Sequence, residues 1–338
     1  MPIKGPLLPR DTPSPPIDDM QSQSLDDGSP RRGGESPIVY EAHKRSSKLS
    51  VLKVSTRKRT NLPSNNDDGR VPQSAEEAVS AYEQYSAVST RPEPFDRKLW
   101  SEPPGQSVDV RGRNYLNDGK KYPSQRSLFR LVTVDIVEVT RSLPRGSMCL
   151  HPDGRIQPAL NGNGGDGFPP FLFCVNLRIP HPKAGREYHI VGYFAVDDLS
   201  LIDGTGSCPS SKIASRFFFG DDDGIDKYRD RTFKLVPRIV EGNTLVKKAV
   251  GSKPVLMGRK LKQSYVRGER FFELIIDVGS DKIADKIVKM CIGYAKSIVV
   301  DLAFILEGTD QSVLPERVMG AFRLNNIDFK NQRRVVEV

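Results

Sequence analysis

From Ser127 onward the chain is written in short runs of β-branched and aromatic residues, closed by glycine or proline. Residues 128–139, 171–179 and 188–196 are three such runs, each with the composition of a strand. The stretch from Asn161 to Gly167, rich in glycine, is a loop between the first two. A turn with Pro182 and Gly185 joins the last two as a hairpin. No helical pattern separates these three runs. A parallel sheet needs a long crossover between strands, usually helical, so the sheet is expected to be antiparallel. Residues 232–240, 253–262, 270–278 and 318–329 continue the pattern, with Gly251, Gly258 and Gly268 at turns.

One long segment breaks the strand rhythm. Ser280 or Asp281 offers an N-cap, and Gly308 offers a C-terminal stop. Between them Lys282, Asp285, Lys286, Lys289, Gly293 and Lys296 recur at spacings of three and four. Ile283, Ile287, Val288, Cys291, Tyr294, Ile298 and Leu302 fill the opposite face. The spacing predicts an amphipathic helix over about 281–307. Its second half, 298–306, is apolar all round except Asp301 and is expected to be enclosed by the sheet. A membrane span needs roughly 20 apolar residues, and Lys296 and Asp301 interrupt a run already too short. The fold class is therefore read as α+β: a curved, mainly antiparallel β-sheet packed on one long helix.

Composition divides the chain near residue 95. The full chain carries 51 Lys+Arg and 42 Asp+Glu, a formal charge of +9. Residues 1–95 hold 13 of each sign, so the whole excess lies in the remainder. They also hold 12 of the 26 prolines, while Trp100 and nearly all the phenylalanines follow them. So few large apolar groups cannot offset roughly 1–2 kcal/mol of backbone entropy per residue. Residues 1–94 are read as a disordered Pro/Ser-rich arm, 95–330 as one folded domain and 331–338 as a tail. The arm contains three Ser-Pro pairs, at Ser14, Ser29 and Ser36, suited to proline-directed kinases. Its basic segment 44–59 interleaves apolar Leu49, Val51, Leu52 and Val54. That composition suits an anionic bilayer, a two-part nuclear import signal or a solvated linker. Residues 75–85 carry a short helical pattern.

The chemistry-bearing residues are sparse. Cys149, Cys174, Cys208 and Cys291 form no CxxC pair, and the four histidines do not group with them, so no metal and no cofactor are expected. Reduced thiols suit a cytoplasmic protein. The first residues have no apolar core of a secretory signal, and Pro2 excludes myristoylation. Asn161–Gly167 lacks the Lys-Ser/Thr of a phosphate loop, and 221–223 lack the spacing of a calcium loop. Asp301 is the one catalytic-looking carboxylate; a structural Asp paired with Lys or Arg is the plainer reading. The strongest signal is basic. Lys247, Lys248, Lys253, Arg259, Lys260, Lys262, Arg267 and Arg270 lie in one stretch with Glu269 as its single acid. Turns between them would gather these charges on neighbouring strands, where they attract anionic headgroups; a solvated sheet face is the alternative. Aromatic residues are too thin there for a nucleic-acid binder.

Several blocks carry a family resemblance. Trp100-Ser-Glu-Pro-Pro-Gly and Val110-Arg-Gly-Arg-Asn-Tyr-Leu-Asn-Asp-Gly come first. Phe233-Lys-Leu-Val-Pro-Arg-Ile-Val-Glu-Gly, Val246-Lys-Lys-Ala-Val-Gly-Ser-Lys-Pro-Val-Leu-Met-Gly and Leu314-Pro-Glu-Arg-Val-Met-Gly-Ala-Phe-Arg follow. In this order, over about 97–330, they resemble the Enhanced Disease Resistance 2 C-terminal domain family. Thr244 stands near a position where that family usually shows Trp, and the acidic block 220–224 looks lengthened. In plant members the domain often follows a pleckstrin-homology domain and a lipid-transfer domain, neither of which fits in the arm here. The resemblance implies a link to lipid or membrane surfaces, negative regulation of defence and cell death, and no known catalytic activity. The expectation is thus a non-enzymatic regulatory module, peripheral on membranes, that binds lipid or an anionic surface through the basic stretch. The alternative is a phospho-regulated protein-interaction scaffold. A cavity along 298–306 favours the first; a solid core with an exposed apolar patch favours the second.

Overall fold

A computed structural model describes residues 79–337 apart from 91, 93, 94, 141, 142, 144, 145 and 163–166. The basic segment 44–59 and the Ser-Pro pairs lie outside the described residues, as does the centre of the glycine-rich stretch. Strands, in chain order, are β1 (Trp100–Ser101), β2 (Asp109–Arg111), β3 (Lys121–Pro123), β4 (Arg130–Val139), β5 (Phe171–Pro180), β6 (Glu187–Val196), β7 (Phe233–Glu241), β8 (Val255–Leu256), β9 (Lys262–Arg267), β10 (Phe271–Asp277), β11 (Val299–Leu306), β12 (Val318–Asn325) and β13 (Arg334–Val336). Helices are α1 (Ala81–Gln84), α2 (Ser86–Ser89), α3 (Tyr115–Asp118), α4 (Ile156–Asn161), α5 (Pro209–Phe219), α6 (Ile225–Thr232), α7 (Thr244–Val250) and α8 (Lys282–Gly293).

Two sheets carry the fold. One has the order β1-β12-β11-β7-β8, the other β13-β4-β6-β5-β10-β9, and β2-β3 is a separate ribbon. Most pairs are antiparallel, among them the chain neighbours β5-β6, β9-β10 and β11-β12 with their short connections, and β5-β6 is the expected hairpin. Two pairs, β5-β10 and β4-β13, are parallel. The sheets share one core cluster, to which β5 contributes Phe171, Phe173, Val175, Leu177 and Ile179 at every second position. They meet at a corner where the N–H groups of Leu128 and Phe129 donate to the carbonyls of Val318 and Met319.

The expected helix over 281–307 is corrected by this arrangement. It ends as α8 at Gly293, turns through Ala295–Ser297, and continues as β11, the strand between β7 and β12. The physical reason is burial on both faces. Val300, Leu302, Phe304 and Leu306 face the main core, while Ala303 and Ile305 pack with Val110, Val318 and Ala321 on the other side. A strand covered twice reads as a continuous apolar run, as an enclosed helix does. The β-branched Ile298, Val299 and Val300 favour the strand. Gly308 is no helix stop; its Cα lies so close to Leu314 that a Cβ would sit 2.7 Å from that side chain. Two sheets, not one curved sheet, therefore flank the helix.

Three boundaries also differ. Residues 79–90, read as part of the arm, pack α1 and α2 on the second sheet, burying Ala81, Tyr85 and Val88. The Arg155 guanidinium holds them by donating to the carbonyls of Val88 and Ser89. Within 331–338, read as a tail, β13 adds an edge strand beside β4. The run 253–262 forms only the two residues of β8 and a 3-10 turn, Met257–Arg259, before β9 begins.

Candidate functional site

Large rings fill one end of the space between the sheets. Phe194 and Phe322 approach Phe304 to 5.8 Å between ring centres, Phe233 lies 5.6 Å from Phe304, and Phe173 and Phe218 are 5.2 Å apart. The fit is tight enough to require glycine across the gap. A Cβ on Gly192 would come within 2.8 Å of Phe322, and one on Gly320 within 2.6 Å of Phe194.

Farther along the same strands the inward residues become aliphatic. Leu177 and Ile179 on β5 and Ile190 on β6 face Pro237 and Ile239 on β7 and Val300 and Leu302 on β11. These groups do not meet. They line a cavity of about 350 Å³, roofed by Ile287, Val288, Cys291 and Ile292 of α8. Pro237 sits where β7 has run past its short partner β8, which pairs only with Lys234 and Leu235. A missing N–H costs nothing on such an edge.

Helix α8 shows the consequence. Asp281 caps it by accepting the N–H groups of Ile283 and Ala284 at 2.9 and 2.8 Å, and Lys289 pairs with Asp285 at 2.7 Å. Its apolar stripe points toward the core, yet none of its residues is buried. The stripe covers a hollow instead of a packed layer. Partial burial also pushes the Cys291 thiol up from its ordinary value.

Among the residues around the cavity only Lys260 and Asp281 are charged. Val255, Lys260 and Ile283 both line it and reach solvent, Val255 at 36% and Ile283 at 71% exposure. The mouth therefore lies between the 255–260 segment and the start of α8. Leu245 on α7 is another large apolar side chain left 60% exposed.

The expected basic residues fall into three places. Lys260 lines the mouth, and Lys253, Arg259 and Lys262 are its neighbours along the chain: Lys253 two residues before Val255, Arg259 at the end of the 3-10 turn, and Lys262 where its N–H donates to Ser280 Oγ at 2.8 Å. All four are exposed, and Lys282 joins them from α8. Lys247 and Lys248 lie on exposed positions of α7, which anchors Val246 against Ile239 and Ile298. Arg267 is separated from them: it ends β9, about 17 Å from Lys262 at ~3.4 Å per residue, and donates to the Phe219 carbonyl at 3.2 Å. Arg270 donates to the carbonyls of Phe168 and Pro169, a structural role.

The other candidates resolve as structure. Asp301 lies on the outward face of β11 between Arg238 and Arg323, at 2.6 Å from each. Burial alone would raise its carboxyl, but hydrogen bonds from Arg323 and Arg238 outweigh it and hold the group below the usual aspartate range. His189 is buried on β6 with Nδ1 2.9 Å from Asn176 Oδ1. The three aspartates 221–223 sit exposed between α5 and α6, and no metal-ligand cluster occurs among the described residues. All four cysteines are free.

Sequence reading missed most of the buried charges, among them Glu273, Lys234 and Glu316. Glu273 accepts hydrogen bonds from Ser147, Met148, Cys149 and Asn176, fixing the 146–150 segment over β10. Lys234 pairs with Glu316 at 2.5 Å; burial lowers its ammonium pKa, and Glu316 opposes that. Their signal was a charged residue inside an apolar run. Apart from Lys260 and Asp281, the cavity lining had no such signal, since each residue reads simply as core.

Among the described residues, no helix is long and apolar enough to cross a membrane. No solved structure matches the chain. The Protein ENHANCED DISEASE RESISTANCE 2-like of Arabidopsis thaliana is 29% identical over 235 residues, which cover 70% of this chain and 29% of that protein. The chain thus spans less than a third of the length of that relative. The family model described as Protein ENHANCED DISEASE RESISTANCE 2, C-terminal, matches residues 100–328, from Trp100 on β1 to Asp328 just past β12, and the chain belongs to that family.

Proposed function

We propose that this protein is a non-enzymatic regulatory module that takes a lipid into the inter-sheet cavity and meets anionic membrane surfaces with the basic rim of its mouth. The cavity beneath α8, apolar throughout except at its opening, carries the reading. Ligand pockets commonly enclose about 300–1,000 Å³ and are mostly apolar, which suits an alkyl chain. Each methylene moved from water into such a space gains about 0.8 kcal/mol. The mouth adds exposed Lys253, Arg259, Lys260, Lys262 and Lys282 around apolar Val255 and Ile283. Basic residues near an anionic bilayer contribute about 1 kcal/mol each. The name of the Arabidopsis relative supports placing the protein among regulators of disease resistance; the basic, partly apolar mouth supports work in the cytoplasm, peripherally on membranes.

Co-sedimentation of the full chain with vesicles tests this reading. Vesicles containing phosphatidylserine should retain the protein, and binding should weaken as salt rises. Triple reversal of Lys253, Lys260 and Lys262 to Glu should release it. Equal recovery in the supernatant with neutral and anionic vesicles would reject the membrane reading and favour the interaction scaffold.

A further inference from the structure

We infer that the ligand is a single-chain amphiphile with an anionic head, its tail under α8 and its head at Lys260. This rests on the lipid reading above and adds the ligand's class and orientation. The first observation is the distribution of polarity. Away from the mouth the cavity offers no charged group, so a ligand carrying a second polar group at its far end would leave that group unpaired. The second is size. About 350 Å³ lies at the small end of the range for ligand sites of about 300–1,000 Å³, which favours one chain over two.

The third observation is charge at the mouth. Asp281 is engaged by the N–H groups of Ile283 and Ala284. Asp230, close to Gly258, accepts from Gln263 and Tyr265. Among the described residues no carboxylate pairs with Lys260, so its ammonium stands at the opening without a counter-ion. Arg259 and Lys262 flank it, exposed. A carboxylate or phosphate head would complete that arrangement, with its chain continuing past Val255 and Ile283 into the cavity.

Displacement of a neutral fluorescent probe, N-phenyl-1-naphthylamine, from the full chain tests the inference. Oleate and oleoyl lysophosphatidate should displace it at concentrations about tenfold lower than monooleoylglycerol does. Lys260→Glu should abolish that preference while the probe itself still binds; Arg267→Glu, at the far end of β9 and outside the lining, should preserve it. Oleate outperforming lysophosphatidate would assign a carboxylate head, the reverse a phosphate head, and either supports the anionic class. Equal displacement by monooleoylglycerol, or by dioleoyl phosphatidate at the lysophosphatidate concentration, overturns the inference while the cavity reading stands. Failure of the wild-type protein to bind the probe at all would overturn both.

Discussion

The two ends of the space between the sheets are built from the same strands and packed in opposite ways. On β11, Phe304 is fully buried among rings, while Leu302, two residues earlier on the same face, remains half-buried at the cavity. On β5, Phe173 joins the ring cluster and Leu177 lines the hollow. Close packing is the default for protein interiors. The aromatic end meets that default even at the expense of requiring Gly192 and Gly320. The hollow end therefore reflects side-chain size at particular inward positions, and an amphipathic helix is laid over it. One end supplies rigidity and the other supplies space.

Several substitutions would break or sharpen this contrast. The largest effect belongs to Phe304→Ala, which should cost about 3–5 kcal/mol in urea unfolding. Leu302→Ala should cost well under half as much, because that side chain already borders empty space; equal costs would erase the distinction. Gly192→Ala should destabilise by about 1–3 kcal/mol, since its Cβ would strike Phe322. By contrast, Val300→Leu at the hollow end should be neutral or stabilise by up to about 1 kcal/mol. A melting temperature lowered by Val300→Leu as much as by Gly192→Ala would show that both ends are equally full.

The outward face of β11 gives a pH test. Asp301 is held below the ordinary aspartate range in the folded protein. Its stabilisation is present above the unfolded pKa of about 3.9 and is lost as pH falls through the lower folded value. Asp301→Asn should therefore cost about 1–3 kcal/mol at neutral pH, and the gap from wild type should close below about pH 4. A gap that persists unchanged into acid would show that the two arginines do not stabilise the charge. The smallest effect is expected from Arg267→Glu, far from the mouth, which should alter vesicle binding less than Lys260→Glu does.

Much of this architecture was legible in residue patterns, for identifiable reasons. The strands β4, β5, β6, β7, β10 and β12 announce themselves because β-branched and aromatic residues are bounded by turn chemistry. The first half of the expected helix was legible through its cap at Asp281 and its spacing. Residues 298–306 were not, because periodicity vanishes when both faces are covered, and length and β-branching had to decide. The basic mouth was partly legible: sequence proximity keeps Arg259, Lys260 and Lys262 together, while an extended strand carries Arg267 away. The cavity itself was not legible at all. Its volume depends on which rows of two sheets face each other, and Leu177 opposite Leu302 is a relation between residues far apart in the chain. The blocks from Trp100 to Arg323 made the family legible, as the match over residues 100–328 shows, while the candidate site within it came from geometry alone.

The central claim is that the hollow end is a ligand site roofed by α8, while the aromatic end is inert core. Amide hydrogen exchange of the full chain, with and without oleate-containing vesicles, tests it most directly. The account predicts slower exchange along Lys282–Gly293 on addition of lipid, with β4 and the ring-bearing part of β6 unchanged. Identical exchange of α8 in both conditions would contradict it.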